Sequence, residues 1–268
     1  MAKKTILYCT ILLFLQGIIY GQDAAKTKAF VIEYGGNLQT SLDQRFVSQP
    51  KTHLGFNFNL GYEFGKNNRL NTLELSFSKN VADFTKLVEF TNLKPEFRYT
   101  HTRAIKGKAI HLGGFYDVGT FLIFPRNNWD GNNEITYTIW SSLGIAAKWN
   151  KPITLKKKEL MLRASGSLPI LGYVIRPAYG LPYTENFLED GTFDFKRTGL
   201  AKAILTSGKI RTLNRFMNYK ADIGLALPFG KKAHQVGLTY AWELLWVGGQ
   251  KSITFAQHQL TIGLKINL

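Results

Sequence analysis

Thirteen ionisable residues of this 268-residue chain fall on the polar phase of segments whose other phase is apolar: Glu33, Glu63, Glu74, Glu96, Arg98, His111, Asp117, Lys148, Arg163, Lys220, Asp222, Glu243 and Lys265. Seven are acids and five are permanent bases, close to balance. Two kinds of chemistry suit such a set. Facing one another in a confined interior, the charges pair into a network that fills it, because a buried charge without a partner is costly. Lining an open interior, they form a polar path for ions. Asp117, beside Tyr116 and flanked by Gly113, Gly114 and Gly119, is the most distinctive single position of the set.

Hydrolytic chemistry needs a nucleophile, a base and an orienting group. Ser41, Asp43 and His53 lie close in sequence, but no motif joins them, and a lone loop histidine reads as a solvated one. No catalytic residue is assigned. The chain has no GxGxxG, P-loop, HExxH or CxxC pattern, so neither a cofactor nor a metal is expected. The oxygen-rich DGNNE, Asp130 to Glu134, lacks the twelve-residue spacing of a calcium loop. The single cysteine, Cys9, leaves no disulfide to form.

The most unusual segment is SLPILGYVIRPAYGLPYTENFLEDGTFDF. Pro169, Pro177 and Pro182 interrupt β pairing, and long irregular segments are commonly functional. Arg176, Tyr179, Tyr183, Phe187 and Phe193 are its candidate binding residues, and 176–207 is the expected binding segment.

These side chains must be positioned by strands. LGFNFNLGYEF, VGLTYAWELLW and YKADIGLAL each alternate apolar and polar residues with a period of two. The pattern predicts ten strands, at 28–39, 53–64, 69–80, 90–104, 108–123, 134–149, 158–173, 211–227, 234–247 and 253–268. A count of twelve arises if Val174 to Leu213 holds a further hairpin. Connections alternate between short basic turns, such as GKNN and PFGKKA, and longer segments such as PRNNWDGNNE.

A soluble barrel or sandwich points its apolar phase inward, and a membrane barrel points it outward. The second fits better. The polar phase is rich in Gly, Ser, Thr and Asn, and Tyr62, Phe64, Trp149, Trp242 and Trp246 sit near strand ends as interfacial girdles would. Residues 1–21, with Lys3 and Lys4 ahead of an apolar run from Ile6, read as a signal peptide, which leaves one barrel domain over 22–268.

The chain carries 34 Lys and Arg against 18 Asp and Glu; without Lys3 and Lys4 the balance is 32 against 18. Export excludes nucleic acid as the partner. The excess collects in the turns, at Lys66, Arg69, Lys106, Lys108, Lys151, Lys156, Lys157, Lys158, Lys231 and Lys232, where outer-membrane lipid head groups are the expected contact.

With Leu260, Ile262, Leu264, Ile266 and Leu268 alternating to the last residue, the chain resembles the outer-membrane β-barrel proteins of Gram-negative bacteria. The resemblance implies that this segment is read by the barrel-insertion machinery, although Leu268 stands where the usual terminal residue is Phe. The Gln22 start is similar to exported proteins of the Bacteroidetes. The expectation is a non-enzymatic barrel with a side-chain-filled lumen, acting through its outer loops as a surface-exposed binding or accessory component of an envelope complex. A small channel using the lumen charges is the alternative, and an outer-leaflet hydrolase the third.

Overall fold

The structure, a computed structural model, describes residues 26–44, 49–83, 90–106, 109–125, 136–155, 158–176, 208–249 and 252–268. The strands are β1 (Lys26–Asp43), β2 (Lys51–Lys66), β3 (Arg69–Asp83), β4 (Phe90–Ala104), β5 (Ile110–Pro125), β6 (Thr136–Leu155), β7 (Lys158–Ile175), β8 (Lys209–Thr212), β9 (Phe216–Phe229), β10 (His234–Val247) and β11 (Ile253–Asn267). Each wall strand pairs antiparallel with its neighbours, and β1 pairs with β11 from Ala29↔Asn267 to Asp43↔Ile253. With β6 pairing β7 and β7 pairing β9, ten strands form a closed antiparallel barrel. Closure leaves no sheet edge in the wall, so the wall's backbone groups are satisfied strand to strand.

The expected ten strands are all present, with one correction. The expected strand 211–227 is two elements: β8 pairs with the end of β7, from Leu171↔Thr212 to Val174↔Lys209, while β9 joins the wall after a turn closed by Arg215 N donating to Thr212 O. Pairing of β7 with β9 ends at Ser167↔Lys220, next to Pro169, which has no N–H to donate. On its other side Pro169 faces Gly144, where the β6–β7 register slips. A short extra strand therefore exists in the segment that suggested twelve strands, but it continues the lane of β9 along β7 rather than adding a strand to the wall.

The period of two sends one phase outward. Ile32, Leu60, Leu75, Ile145, Leu238 and Ile262 are exposed on the outer wall, an apolar surface too continuous to stand in water. The outward polar pair Tyr240 Oη and His258 Nδ1 hydrogen-bond to each other at 2.7 Å. One end of the barrel carries the connections 67–68, 105–109, 156–157 and 230–233 and is called the turn end. The other, the loop end, carries 44–50, 84–89, 126–135, the segment after β7, and 248–252.

The core lies inside the loop-end half, and it corrects the expectation that the apolar phase faces only outward. Phe121, Ile123, Trp140, Val174, Phe216, Leu245, Val247, Ile253 and Phe255 all point into the lumen and are buried together. Phe121 on β5 and Phe255 on β11 meet with ring centroids 4.8 Å apart, spanning the interior. Near this end the sequence runs apolar on both phases, as in Phe121 to Phe124, so alternation does not mark which side faces in.

Candidate functional site: the barrel lumen

Beneath the apolar plug lies a layer of charge. Lys94, Glu96 and Arg98 of β4, Asp117 of β5, Lys220 of β9 and Glu243 of β10 share the inward phase, and their pairings cross the lumen. Lys94 Nζ lies 2.8 Å from Glu96 and also bonds Glu243. Lys220 is 2.7 Å from Glu96, and Arg98 is 2.9 Å from Asp117 and 3.4 Å from Glu96. Asp117, fully buried, also accepts from Ser142 Oγ and, at 3.1 Å, from Asn218 Nδ2. Arg98 donates to Ser167 at 2.7 Å and rests on the Phe115 ring. Three cations meet three carboxylates in a low-dielectric interior, an arrangement that holds only when every member is paired.

Lys94 is the member that sequence reasoning missed. It shares parity with Glu96 and Arg98, and the signal was present in the sequence, where Leu93, Pro95 and Phe97 alternate with Lys94, Glu96 and Arg98.

At the loop end, β1 to β4 and β11 supply a buried polar ladder. Gln39 Nε2 donates to Asn37 Oδ1 at 3.0 Å and to Ser78 Oγ at 2.9 Å, and Ser78 donates to Gln257 at 3.1 Å. His53 belongs to this ladder. It is 1% exposed, which overturns its reading as a solvated loop residue. The reason is strand length: β2 begins at Lys51, two residues earlier than alternation suggested, and carries His53 inward.

His53 Nε2 lies 3.5 Å from Ser41 Oγ, and its Nδ1 lies 3.3 Å from Asn80 Nδ2. Asn80 Oδ1 is occupied by the Asn92 N–H at 2.6 Å, so the amide turns its N–H₂ toward the imidazole. Asp43, the third residue of the set, instead bridges Arg176 at 2.7 Å across the loop-end rim.

Toward the turn end the lumen opens into a cavity of about 410 Å³, which corrects the expectation of a side-chain-filled interior. Glu33, Glu63, Glu74, Lys148, Arg163, Asp222 and Lys265 line it. Glu63 pairs with Lys265, Asn59 donates to Glu33 at 3.1 Å, Ser165 donates to Asp222, and Lys148 donates to Thr72 at 2.7 Å. His111 stands on the same phase, opposite Lys148 in the β5–β6 register. The expected lumen set thus divides in two. Glu96, Arg98, Asp117, Lys220 and Glu243 belong to the paired layer, of which Arg98, Lys220 and Glu243, with Lys94, also border the cavity, and the remainder face or flank the cavity.

Of the expected loop-binding residues, Arg176 forms the rim bridge just described. Tyr179, Tyr183, Phe187 and Phe193 lie outside the described residues, as do the segments 1–21 and 130–134. Leu260, Ile262, Leu264, Ile266 and Leu268 occupy the outward phase of β11 and its end, and Leu268 N donates to Lys28 O at 2.8 Å.

No known protein family matches the chain's sequence, and no curated protein does. Among solved structures, the outer membrane protease OmpT from Escherichia coli aligns over 94% of this chain and 99% of that one, with a TM-score of 0.52 and 8% identity. The translocator domain of the autotransporter NalP from Neisseria meningitidis aligns over 98% and 96% at 10% identity, with a TM-score of 0.38. The attachment invasion locus protein Ail of Yersinia pestis aligns over 89% and 98% at 9% identity, with a TM-score of 0.34. At such identity the likeness extends to architecture alone: the chain has the fold of a ten-stranded outer-membrane β-barrel.

Proposed function

We propose that the protein resides in the outer membrane as a non-conducting barrel and works at its loop end, as a surface-exposed binding or accessory component of the cell envelope. The observation that carries this is the double obstruction of the lumen. Phe121 meets Phe255 across it, and directly below, Lys94 joins Glu96 to Glu243. An ion entering from the turn end would have to part a fully paired charge layer and then an apolar one, which favours a binding role over a channel. The burial of both His53 and Ser41 within the polar ladder weighs against hydrolysis there.

On this reading the long connections face outward and the short basic turns face the periplasmic leaflet, where Lys66, Arg69, Lys231 and Lys232 meet lipid phosphates. The Asp43–Arg176 bridge ties the root of segment 176–207 to the barrel rim, so a partner bound by that segment is held against a rigid platform. The β11 alternation from Leu260 to Leu268 serves the insertion machinery.

The test is purification from native membranes in mild detergent, with copurifying proteins identified by mass spectrometry, for the full chain and for a variant lacking residues 183–195. A stoichiometric companion lost on deletion, from a barrel that keeps its heat-dependent electrophoretic mobility, is the expected result. Recovery of the full chain alone, with ion conductance in planar bilayers altered by Asp117→Asn, would replace this reading with a channel.

A further inference from the structure

The two charge sets of the lumen differ in kind. In the closed layer each of three cations and three carboxylates makes at least one ion pair with another member. Among the described residues that line the turn-end cavity outside this layer, only Glu63 and Lys265 pair so closely. Among the described residues, Glu74 and Arg163 make no hydrogen bond or ion pair, Glu33 is held by Asn59 alone, and Asp222 by Ser165 alone. Glu33 nevertheless lies within electrostatic reach of Glu74, Asp222 and Arg163.

An independent observation points to the same place. Asn57 lines this cavity and is 1% exposed, yet neither its amide nitrogen nor its oxygen has a hydrogen-bond partner among the described residues. Buried amides are nearly always satisfied, because leaving one bare costs its lost hydration. Asn57 stands on β2 and Arg163 on β7, on opposite sides of the wall, so a molecule engaging both must occupy the lumen between them.

The chemistry of the donors selects the ligand. No group of three or more His, Cys, Asp or Glu among the described residues is placed to hold a metal ion, so Glu33, Glu74 and Asp222 do not chelate one. Carboxylates spread around a cavity suit an ammonium, whose three donors reach separate acceptors. Arg163 presents a guanidinium fork matched to a carboxylate. A cavity of about 410 Å³ lies within the range of small-molecule sites.

We propose that the turn-end cavity binds a small zwitterion of amino-acid to dipeptide size, with its ammonium among Glu33, Glu74 and Asp222, its carboxylate on Arg163, and a polar group between them on Asn57. The site stands apart from any partner bound at the loop end and does not depend on it.

The test is calorimetric titration of the full-length protein in detergent micelles with alanyl-alanine, and separately with propylamine and propionate. Saturable binding of alanyl-alanine is expected, about tenfold or more tighter than either half-molecule, because each half forgoes one charged interaction. Arg163→Gln and Glu74→Gln, each checked for a folded barrel by heat-dependent mobility, are expected to weaken binding by about tenfold or more. Asn57→Leu should weaken binding while leaving the free barrel at least as heat-stable as before, since it removes an unpartnered amide from the interior. Absence of saturable heat with alanyl-alanine, propylamine binding as tightly as the dipeptide, or an affinity unchanged in all three folded variants would each overturn the proposal.

Discussion

Lys94 stands where the two halves of the lumen charge layer join, touching Glu96 on its own strand and Glu243 across the barrel while its ammonium lies 5.5 Å from the Trp140 ring centroid. Its side chain is 3% exposed, so little water can replace it. Lys94→Met would leave Glu243 with only Lys220, 3.9 Å away, as a cationic partner among the described residues. The expected cost is about 3 to 5 kcal/mol, the magnitude for breaking a buried pair and stranding one charge. Lys265→Met, which breaks the less buried pair with Glu63, is expected to cost less than Lys94→Met because the adjoining cavity gives the remaining carboxylate access to water. Urea unfolding of both variants in micelles, followed by tryptophan fluorescence, checks the contrast; equal losses would mean that the two pairs are equally hydrated. This difference was not legible in the sequence, where both lysines simply occupy the polar phase. Burial depends on the depth reached along the barrel axis, which alternation does not encode.

At the scale of elements, the plug needs room as well as apolar residues. A Cβ placed on Gly119 would lie 2.2 Å from Trp140 Cζ2, and one on Gly172 would lie 2.5 Å from Phe216 Cδ1. The two glycines therefore leave space in β5 and β7 for rings supplied by β6 and β9. Gly119→Val is expected to displace Trp140 and destabilise the barrel by about 1 to 3 kcal/mol, the usual cost of overpacking. The displacement would appear as a shift in tryptophan emission and a lower unfolding midpoint; an unchanged spectrum and midpoint would show the plug to be loosely packed. The sequence marked Gly119 only as a neighbour of Asp117. Its role depends on the β5–β6 register, which pairs Gly119 with Trp140. Element starts show the same limit: the inward turn of His53 follows from β2 beginning at Lys51.

For the whole molecule, the obstruction of the lumen predicts electrical silence. The wild-type protein is expected to give no steady conductance in planar bilayers, because the apolar plug and the charge layer close successive levels of the lumen. The combined variant Phe121→Ala, Trp140→Ala and Phe255→Ala removes the rings that span the loop-end half and should admit water to the charge layer. Discrete openings are expected from it where the parent shows none. Steady conductance by the parent would show that the closed arrangement is not the one populated in a membrane. Both results would be read on protein whose barrel is intact by heat-dependent mobility.

The sequence by itself determined the wall: ten alternating strands, their order, and an apolar phase turned outward over most of each strand. Those features follow from a period that each strand carries locally, and from turns short enough to force neighbours together. Only the tertiary structure decided what the interior is. The pairing of Phe121 with Phe255, of Lys94 with Glu243, and the gathering of Glu33, Glu74, Asp222 and Arg163 around one cavity join residues from strands far apart in the chain. Such contacts depend on shear and closure, which set how far each strand slides along its neighbour. No local pattern records that slide, so the same polar phase holds a sealed network at one depth and an open site at another.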